Sequence, residues 1–501
     1  MEEIYYNSTR GSNENLTSAS AILKGIAGDG GLFIPNCFPF ISKRELKNCE
    51  KMSFKQLSLY INKKFFTDFS ERELKNCIDR AYDNKFEGNA AAPLNKKGDV
   101  FYLELFHGPT MAFKDIALCL LPYLMKTAAR KRNLNKTIVI LTATSGDTGK
   151  AALESFADVE GTKIVVFFPE KGVSSIQKRQ MTTQIGENVK VVGINGNFDD
   201  AQKEVKRIFN DVELKRELNR GSYMFSSANS INIGRLIPQI VYYFYSYMQL
   251  LRVKEIKLGE KINFAVPTGN FGNILAAYYS KKMGLPVNKL LCASNENKVL
   301  CDFFNSGIYD ANRKFFVTIS PSMDILMSSN LERFIYDISG KNASAVRELM
   351  GNLDKFRKYE IGDNIKEGMD LFYGNLATDE ETKQSIKEVF DKHGYLMDPH
   401  TSVAYSVYKK YLQDTGDGTK TVIVSTASPF KFTRAVMGAL DNRYNSEDDF
   451  KLVKLMSRAA GIEIPKPMKK LDGCKVMHDT VCETGQMETE VRKFLSERCH
   501  C

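Results

Sequence analysis

The sequence predicts an α/β protein built on parallel sheets, and three observations carry that prediction. From about residue 99 onward, short β-branched or apolar runs alternate with longer helical patterns. Three of those runs end in loops rich in Gly, Ser, Thr or Asn, two of which lead directly into a helical pattern, the usual grammar of a strand-to-helix turn. The chain has 501 residues, of which 43% are hydrophobic and 26% charged, enough apolar surface to offset the ordering entropy of a large core.

The expected strands are 100–105, 137–141, 163–168, 189–194, 262–266, 290–293 and 421–424, separated by helical stretches such as 117–132, 200–209 and 274–283. Strand, helix, strand in alternation argues for a sheet covered on both faces. The first ~90 residues read as mostly helical, for example over 16–27 and 53–65, with a turn at Gly28-Asp29-Gly30-Gly31 between them. After Phe432 the pattern is helical and charged, with a linker at Ile464-Pro465-Lys466-Pro467.

Composition excludes several classes of function. Lysine and arginine total 70 against 60 acidic residues, a net charge of +10 that weakly steers anionic small molecules. No block of like charges exists to act as a nucleic-acid tail. The start Met1-Glu2-Glu3-Ile4 lacks a basic segment followed by an apolar run, so a cytoplasmic location with the ten cysteines reduced is expected. The longest charge-free stretch, between Arg235 and Arg252, is too short and too polar for a membrane span. His107, His393, His400, His478 and His500 share no metal-ligand spacing, and Cys499-His500-Cys501 sits at the terminus, so no metal is expected.

In open parallel sheets, ligands bind at the carboxyl ends of strands. The run after 137–141 contains Thr144, Ser145, Gly146, Asp147, Thr148 and Gly149 and then opens a helix. It reads either as an anion cradle or as a capped turn. A nucleotide loop of the P-loop kind fails here, because Thr144 stands where its first glycine belongs and Ala151 where Ser or Thr belongs. The run after 262–266 contains Gly269, Asn270, Phe271, Gly272 and Asn273 at a helix start, which suits a phosphate held by backbone amides. Thr426 follows the strand at 421–424. Lys114 sits behind Met111, Ala112 and Phe113 and ahead of an apolar helix. Such a lysine either snorkels to solvent or is held inside, where burial lowers its pKa and makes it a nucleophile toward carbonyls.

Taken together, these segments are far more specific than any one of them. The sequence resembles the threonine synthase family, pyridoxal-phosphate enzymes of fold type II related to tryptophan synthase β. The resemblance is carried by Tyr6 to Arg10, Asp29 to Pro35, Phe106 to Asp115, Thr144 to Gly149, Ile176 to Thr183, Ser227 to Asn232, Pro267 to Asn273, Ser320 to Asp324, Asp398 to Thr401 and Ser425 to Ala427. The long N-terminal segment points to the bacterial and fungal branch.

The resemblance implies an organisation of four parts: a mostly helical region 1–92, a large cofactor domain of 93–140 and 225–430, a small α/β domain 141–224 that closes on substrate, and a helical region 431–501. It implies pyridoxal 5′-phosphate as cofactor, carried covalently on Lys114. Gly269 to Asn273 match the loop that holds the cofactor phosphate, and Thr426 matches a hydroxyl facing the pyridine nitrogen. Thr144, Ser145, Gly146, Asp147 and Thr148 match the segment that cradles the substrate carboxylate, with Asp147 also near the ring hydroxyl. Asn229, Ser230 and Asn232 match a further active-site segment. The implied reaction converts O-phospho-L-homoserine and water to L-threonine and phosphate. A related lyase, such as threonine dehydratase or a phospho-lyase, is the nearest alternative, and a nucleotide-binding protein using 146–150 is an alternative of another class. Lys178 and Arg179 are expected to clamp the leaving phosphate. Many family members read His-Pro-Ala-Lys-Phe where this chain has Ser428-Pro-Phe-Lys-Phe432, and some have Asp at the position of Asn273. No nucleic-acid or membrane partner is implied, and monomer and homodimer both stay open.

Overall fold

Two parallel sheets organise the chain in a computed structural model that describes residues 3–87, 91–144, 146–171 and 173–496. The larger sheet runs, edge to edge, Phe372–Leu376, Val287–Ser294, Ile262–Pro267, Thr421–Ser425, Val100–Glu104 and Leu94–Lys97. Five of its strands are parallel, and only Leu94–Lys97 pairs antiparallel with its neighbour. The smaller sheet runs Val481–Glu483, Val189–Asn195, Thr162–Pro169, Thr137–Ala143 and Tyr223–Ser226, all parallel. Every strand expected from the alternation is present, within a few residues at each end.

Both faces of the small sheet are buried, which is why its strands read as continuous apolar runs. Ile138, Ile140, Ile164 and Val166 face the main core, while Val139, Leu141, Val165 and Phe167 face the helices Phe198–Asn210 and Val212–Arg220. On the large sheet, Ala265, Leu291 and Ile423 pack under the helix Pro399–Thr415, and Phe264, Leu290 and Val422 face the opposite side.

Three expectations need correction, and two strands were not foreseen. The helix expected over 117–132 is two helices, Lys114–Leu118 and Leu121–Lys131, because Pro122 lacks the amide that would continue the first. The first 92 residues are not only helical: Tyr6–Ser8 pairs antiparallel with both Asn15–Leu16 and Phe33–Pro35. The strands Tyr223–Ser226 and Phe372–Leu376 carry too little periodic signal to stand out in sequence. Residues 431–501 do not form one helical region. Val481–Glu483 extends the small sheet beside Val189–Asn195, and Met487, Val491 and Phe494 enter the small sheet's core. A three-residue edge strand has no pattern of its own, and its pairing is decided by the neighbouring edge.

Candidate active site

The strand order places three loops side by side. Thr421–Ser425 lies between Ile262–Pro267 and Val100–Glu104, at the usual strand spacing of about 4.8 Å. The glycine loop, Thr426 and Lys114 therefore leave the same end of adjacent strands. The Lys114 and Thr426 loops are also zipped together. Leu105 N donates to Ser425 O at 2.9 Å, Phe113 N to Thr426 O at 2.8 Å, and Ser428 N to Met111 O at 3.1 Å. Ala112 forms a bridge with Ala427, and Met111 takes a left-handed φ of 57° to let the chain turn back. A Cβ at Gly108 would fall 2.5 Å from Asp115 Oδ2, so only glycine lets the loop close over that carboxylate.

Lys114 is buried, and its Nζ lies 3.6 Å from Asp147 Oδ2. Burial is the largest influence on it and pushes its pKa down; Asp147 opposes this, while Lys431 and Arg235 add to it. Asp147 receives Lys431 Nζ on Oδ1 at 2.7 Å, the Gln177 amide on Oδ1 at 2.9 Å and the Ser322 hydroxyl on Oδ2 at 3.4 Å. Burial acts to raise the Asp147 carboxyl, yet Lys431 and Lys114 hold it well below the usual carboxylate range. Asp115 behaves oppositely. Burial pushes it up to about 6, against the hydrogen bonds from Thr110 N at 2.8 Å and Thr110 Oγ1 at 2.5 Å.

The glycine loop turns its carbonyls away from the site. Ser328 Oγ donates to Gly269 O at 2.8 Å, and Asn330 Nδ2 donates to Asn270 O at 2.9 Å. The helix Gly272–Lys282 has no side-chain cap, and its N-cap residue Phe271 is left-handed at φ 62°. First-turn amides have no acceptor within their own helix, so this end presents donors and the positive end of the helix dipole. The Phe271 ring instead points into an aromatic cluster of Phe304, Phe334 and Phe372. Asn273 accepts from Tyr242 at 2.5 Å and Tyr243 at 2.7 Å on Oδ1, while its Nδ2 is buried without a protein partner. A Cβ at Gly269 would lie 2.7 Å from Ser322 O, so the loop packs directly on the 320–324 segment.

The second loop is built differently. Thr144 Oγ1 accepts from Gly146 N at 3.0 Å and Gly149 N at 2.9 Å, which makes Thr144 a turn staple rather than a ligand donor. Gly146 has φ 142° and faces the Gln177 amide, and Thr148 is half-buried at the helix start. Ser145 lies outside the described residues. Asn229 Oδ1 accepts from Thr142 at 2.9 Å, and Ser230 Oγ accepts from Asn330 Nδ2 at 3.3 Å, beside the glycine loop. Asn232 departs from the expectation. Its Nδ2 donates to Ile22 O and Ser227 O and its Oδ1 caps Gly234, so the side chain shapes the loop and is fully used there.

Lys178 and Arg179, expected to clamp the leaving phosphate, are engaged by protein partners instead. The helix Ser175–Thr182 turns Gln177 and Gln180 inward. Between them, Lys178 pairs with Glu170, and Arg179 donates to the carbonyls of Leu471, Asp472 and Cys474. The nucleotide reading of 146–150 fails on geometry, since Lys150 pairs with Glu154 and Gln184 and the loop amides face Thr144.

Sequence reasoning missed four residues. Lys431 is fully buried between Asp147 and Thr110 O, to which it donates at 2.9 Å. Arg235 is buried against Ala228 O. Arg333 donates to Phe33 O, Asn330 Oδ1 and Ile231 O, and so ties the N-terminal strand and the 227–232 loop to Asn330. His400 Nε2 accepts the Ser322 amide at 3.1 Å while Nδ1 faces Asp398 at 2.7 Å. A charged residue inside an apolar stretch was the available signal for Lys431 and Arg333.

A buried amine beside an uncapped helix N-terminus fits a cofactor that offers an aldehyde to the first and an anionic tail to the second. Among the described residues there is no cluster of three or more His, Cys, Asp or Glu able to hold a metal, and no helix is long and apolar enough to cross a membrane. Family models match the chain in three places: "Threonine synthase N terminus" over 5–82, "Pyridoxal-phosphate dependent enzyme" over 89–350 and "Threonine synthase, C-terminal" over 401–472. Threonine synthase of Saccharomyces cerevisiae is 36% identical, with 94% of this chain and 93% of that one covered. Human threonine synthase-like 1 is 38% identical over 84% of this chain, which spans 58% of that relative's length. The solved structure of PLP-bound threonine synthase from Brucella melitensis superposes with a TM-score of 0.87 at 35% identity, covering 99% of this chain and 100% of that one. The chain belongs to the threonine synthase family of pyridoxal-phosphate-dependent enzymes.

Proposed function

We propose that this chain converts O-phospho-L-homoserine and water to L-threonine and phosphate, with Lys114 as its catalytic lysine. The observation that carries the reading is the buried Lys114 amine, at the end of the strand two places from the uncapped glycine loop. When bound, pyridoxal phosphate supplies a conjugated electron-withdrawing system that makes loss of the substrate's α- and β-protons tolerable. Lys114 would hold the cofactor covalently, the amides of Gly269, Asn270, Phe271, Gly272 and Asn273 its phosphate, and Thr426 the ring nitrogen. A hydroxyl there leaves that nitrogen largely unprotonated.

Once displaced by the substrate amine, the Lys114 amine is placed to take and return protons. The substrate carboxylate is assigned to the segment 144–148 and Asn229, with Thr148 rather than Thr144 offering its hydroxyl. Ser230 sits with the cofactor loop, and Asp147 holds the charge balance around Lys114. Phosphate leaves the γ-carbon and water adds at the β-carbon. The unit 141–224, together with the strand and helix at 481–496, is proposed to close over the substrate and exclude bulk water. Asp147 in that unit already reaches Lys114 and Ser322 in the larger one, and Lys431 at the start of the C-terminal region.

The test is product analysis of the purified protein supplied with pyridoxal phosphate and O-phospho-L-homoserine. Threonine and phosphate in equal amounts are expected, and Lys114→Ala is expected to lower the rate by about 10²–10⁴-fold or more. The nearest alternative is a phospho-lyase related to this family. 2-Oxobutanoate as the main product would select it or a dehydratase.

A further inference from the structure

Lys431 has no role in the chemistry assigned above, yet it is among the most deeply buried charges in the molecule. Its side chain is 0% exposed, its ammonium touches Asp147 Oδ1 at 2.7 Å and Thr110 O at 2.9 Å, and Asp147 Oδ2 lies 3.6 Å from Lys114. One carboxylate is thus shared by two lysine amines. Alone with Lys114, Asp147 would favour the protonated amine, which is inert toward an aldehyde. With Lys431 on its other oxygen, the carboxylate's field is largely neutralised.

We propose that Lys431 is a positioning residue that keeps the Lys114 amine unprotonated by occupying Asp147, and so sets the pH range in which the protein captures its aldehyde cofactor. The proposal rests on the reading of Lys114 as the cofactor lysine. The charged groups facing Lys114 come from three elements: Asp147 from the helix after Gly146, Lys431 from the turn Pro429–Lys431 and Arg235 from the helix Ile233–Leu236. Two of the three are cations and repel a proton on Lys114, in the same direction as burial. The neighbouring Asp115 is engaged by Thr110. In the capture step the Lys114 lone pair forms the C–N bond to the aldehyde carbon. The two amine protons leave with the aldehyde oxygen as water, so an amine that begins as ammonium must first lose a proton.

The experiment measures, from pH 6 to 10, the rate at which the cofactor-free protein becomes yellow on mixing with pyridoxal phosphate. Borohydride reduction and peptide mapping then locate the adduct. Lys431→Met removes the competing cation, and its rate midpoint is expected to move up by about one pH unit or more relative to wild type. Asp147→Asn removes the carboxylate and is expected to move the midpoint down. The double variant is expected to return toward wild type, and Lys431→Arg to stay with it. Opposite shifts in the two single variants are not what loose packing alone would give. If Lys431→Met does not fold, the downward shift in Asp147→Asn and the constancy of Lys431→Arg decide. Midpoints that coincide, or that move the same way in both single variants, overturn the proposal. An adduct found away from Lys114 in the wild type overturns the functional reading instead.

Discussion

The loops at 144–149 and 269–273 share one local grammar, small polar residues between a parallel strand and a helix, and the folded protein uses them for different chemistry. In the first loop the amides of Gly146 and Gly149 are satisfied by Thr144 Oγ1, and what the loop offers to the site is the carboxylate of Asp147. In the second loop the carbonyls of Gly269 and Asn270 are held from outside by Ser328 and Asn330, and the helix begins without a side-chain cap. The difference lies in which backbone groups already have partners, because a satisfied amide adds little to anion binding.

Substitutions that act on one loop and spare the other test this contrast. Gly269→Ala drives a Cβ to 2.7 Å from the Ser322 carbonyl oxygen, a backbone atom that cannot swing away. A cost of about 1–3 kcal/mol is expected, read as a roughly tenfold or greater rise in the cofactor dissociation constant by fluorescence titration. Gly146→Ala meets the Gln177 side chain at φ 142°, and is expected to lower kcat through Asp147 while cofactor retention stays near wild type. Equal cofactor loss in the two variants would break the comparison. Asn330→Ala frees the Asn270 carbonyl and removes a partner of Arg333. Its expected effect is a weakening of retention by about five- to tenfold, in line with about 1 kcal/mol for a lost hydrogen bond.

Thr144→Val removes the acceptor of two buried amides, and a stability loss of about 1–3 kcal/mol in urea unfolding is expected, with retention unchanged. A loss of retention as large as that of Asn330→Ala would make the first loop a phosphate site after all. The last effect is a pH slope in stability. The folded Asp115 carboxyl sits at about 6, above its ordinary value, so the stability it gives is complete below about pH 4 and is lost as pH rises through 6. Relative to Asp115→Asn, wild type is expected to lose at most about 3 kcal/mol between pH 4 and 7, and parallel urea midpoints across that range would contradict the burial argument.

Much of this site was legible as types and positions along the chain. Lys114, the glycine loop and Thr426 each stand at the end of a strand that the alternation located, and the parallel order brings them to adjacent strands. Asn330, Arg333 and Lys431 were not assigned, since each acts on a loop far away in sequence. Asn330 acts on Asn270 and Lys431 on Asp147, and no periodicity records such pairings. The reading of Lys178 and Arg179 rested on charge type, which does not say which face of a helix points inward; Gln177 and Gln180 hold that face.

The sequence by itself determined the alternation of strands and helices, the amine at Lys114, and glycines placed where a phosphate can approach backbone amides. These depend on local period and residue type, which neighbouring residues carry. Only the tertiary structure decided which loop keeps its amides free, which carboxylate meets two lysines, and that Val481–Glu483 completes the small sheet. Hydrogen-bond satisfaction and charge balance in a buried site are properties of groups brought together across the chain, and they exist only once folding has excluded the water that would otherwise screen them.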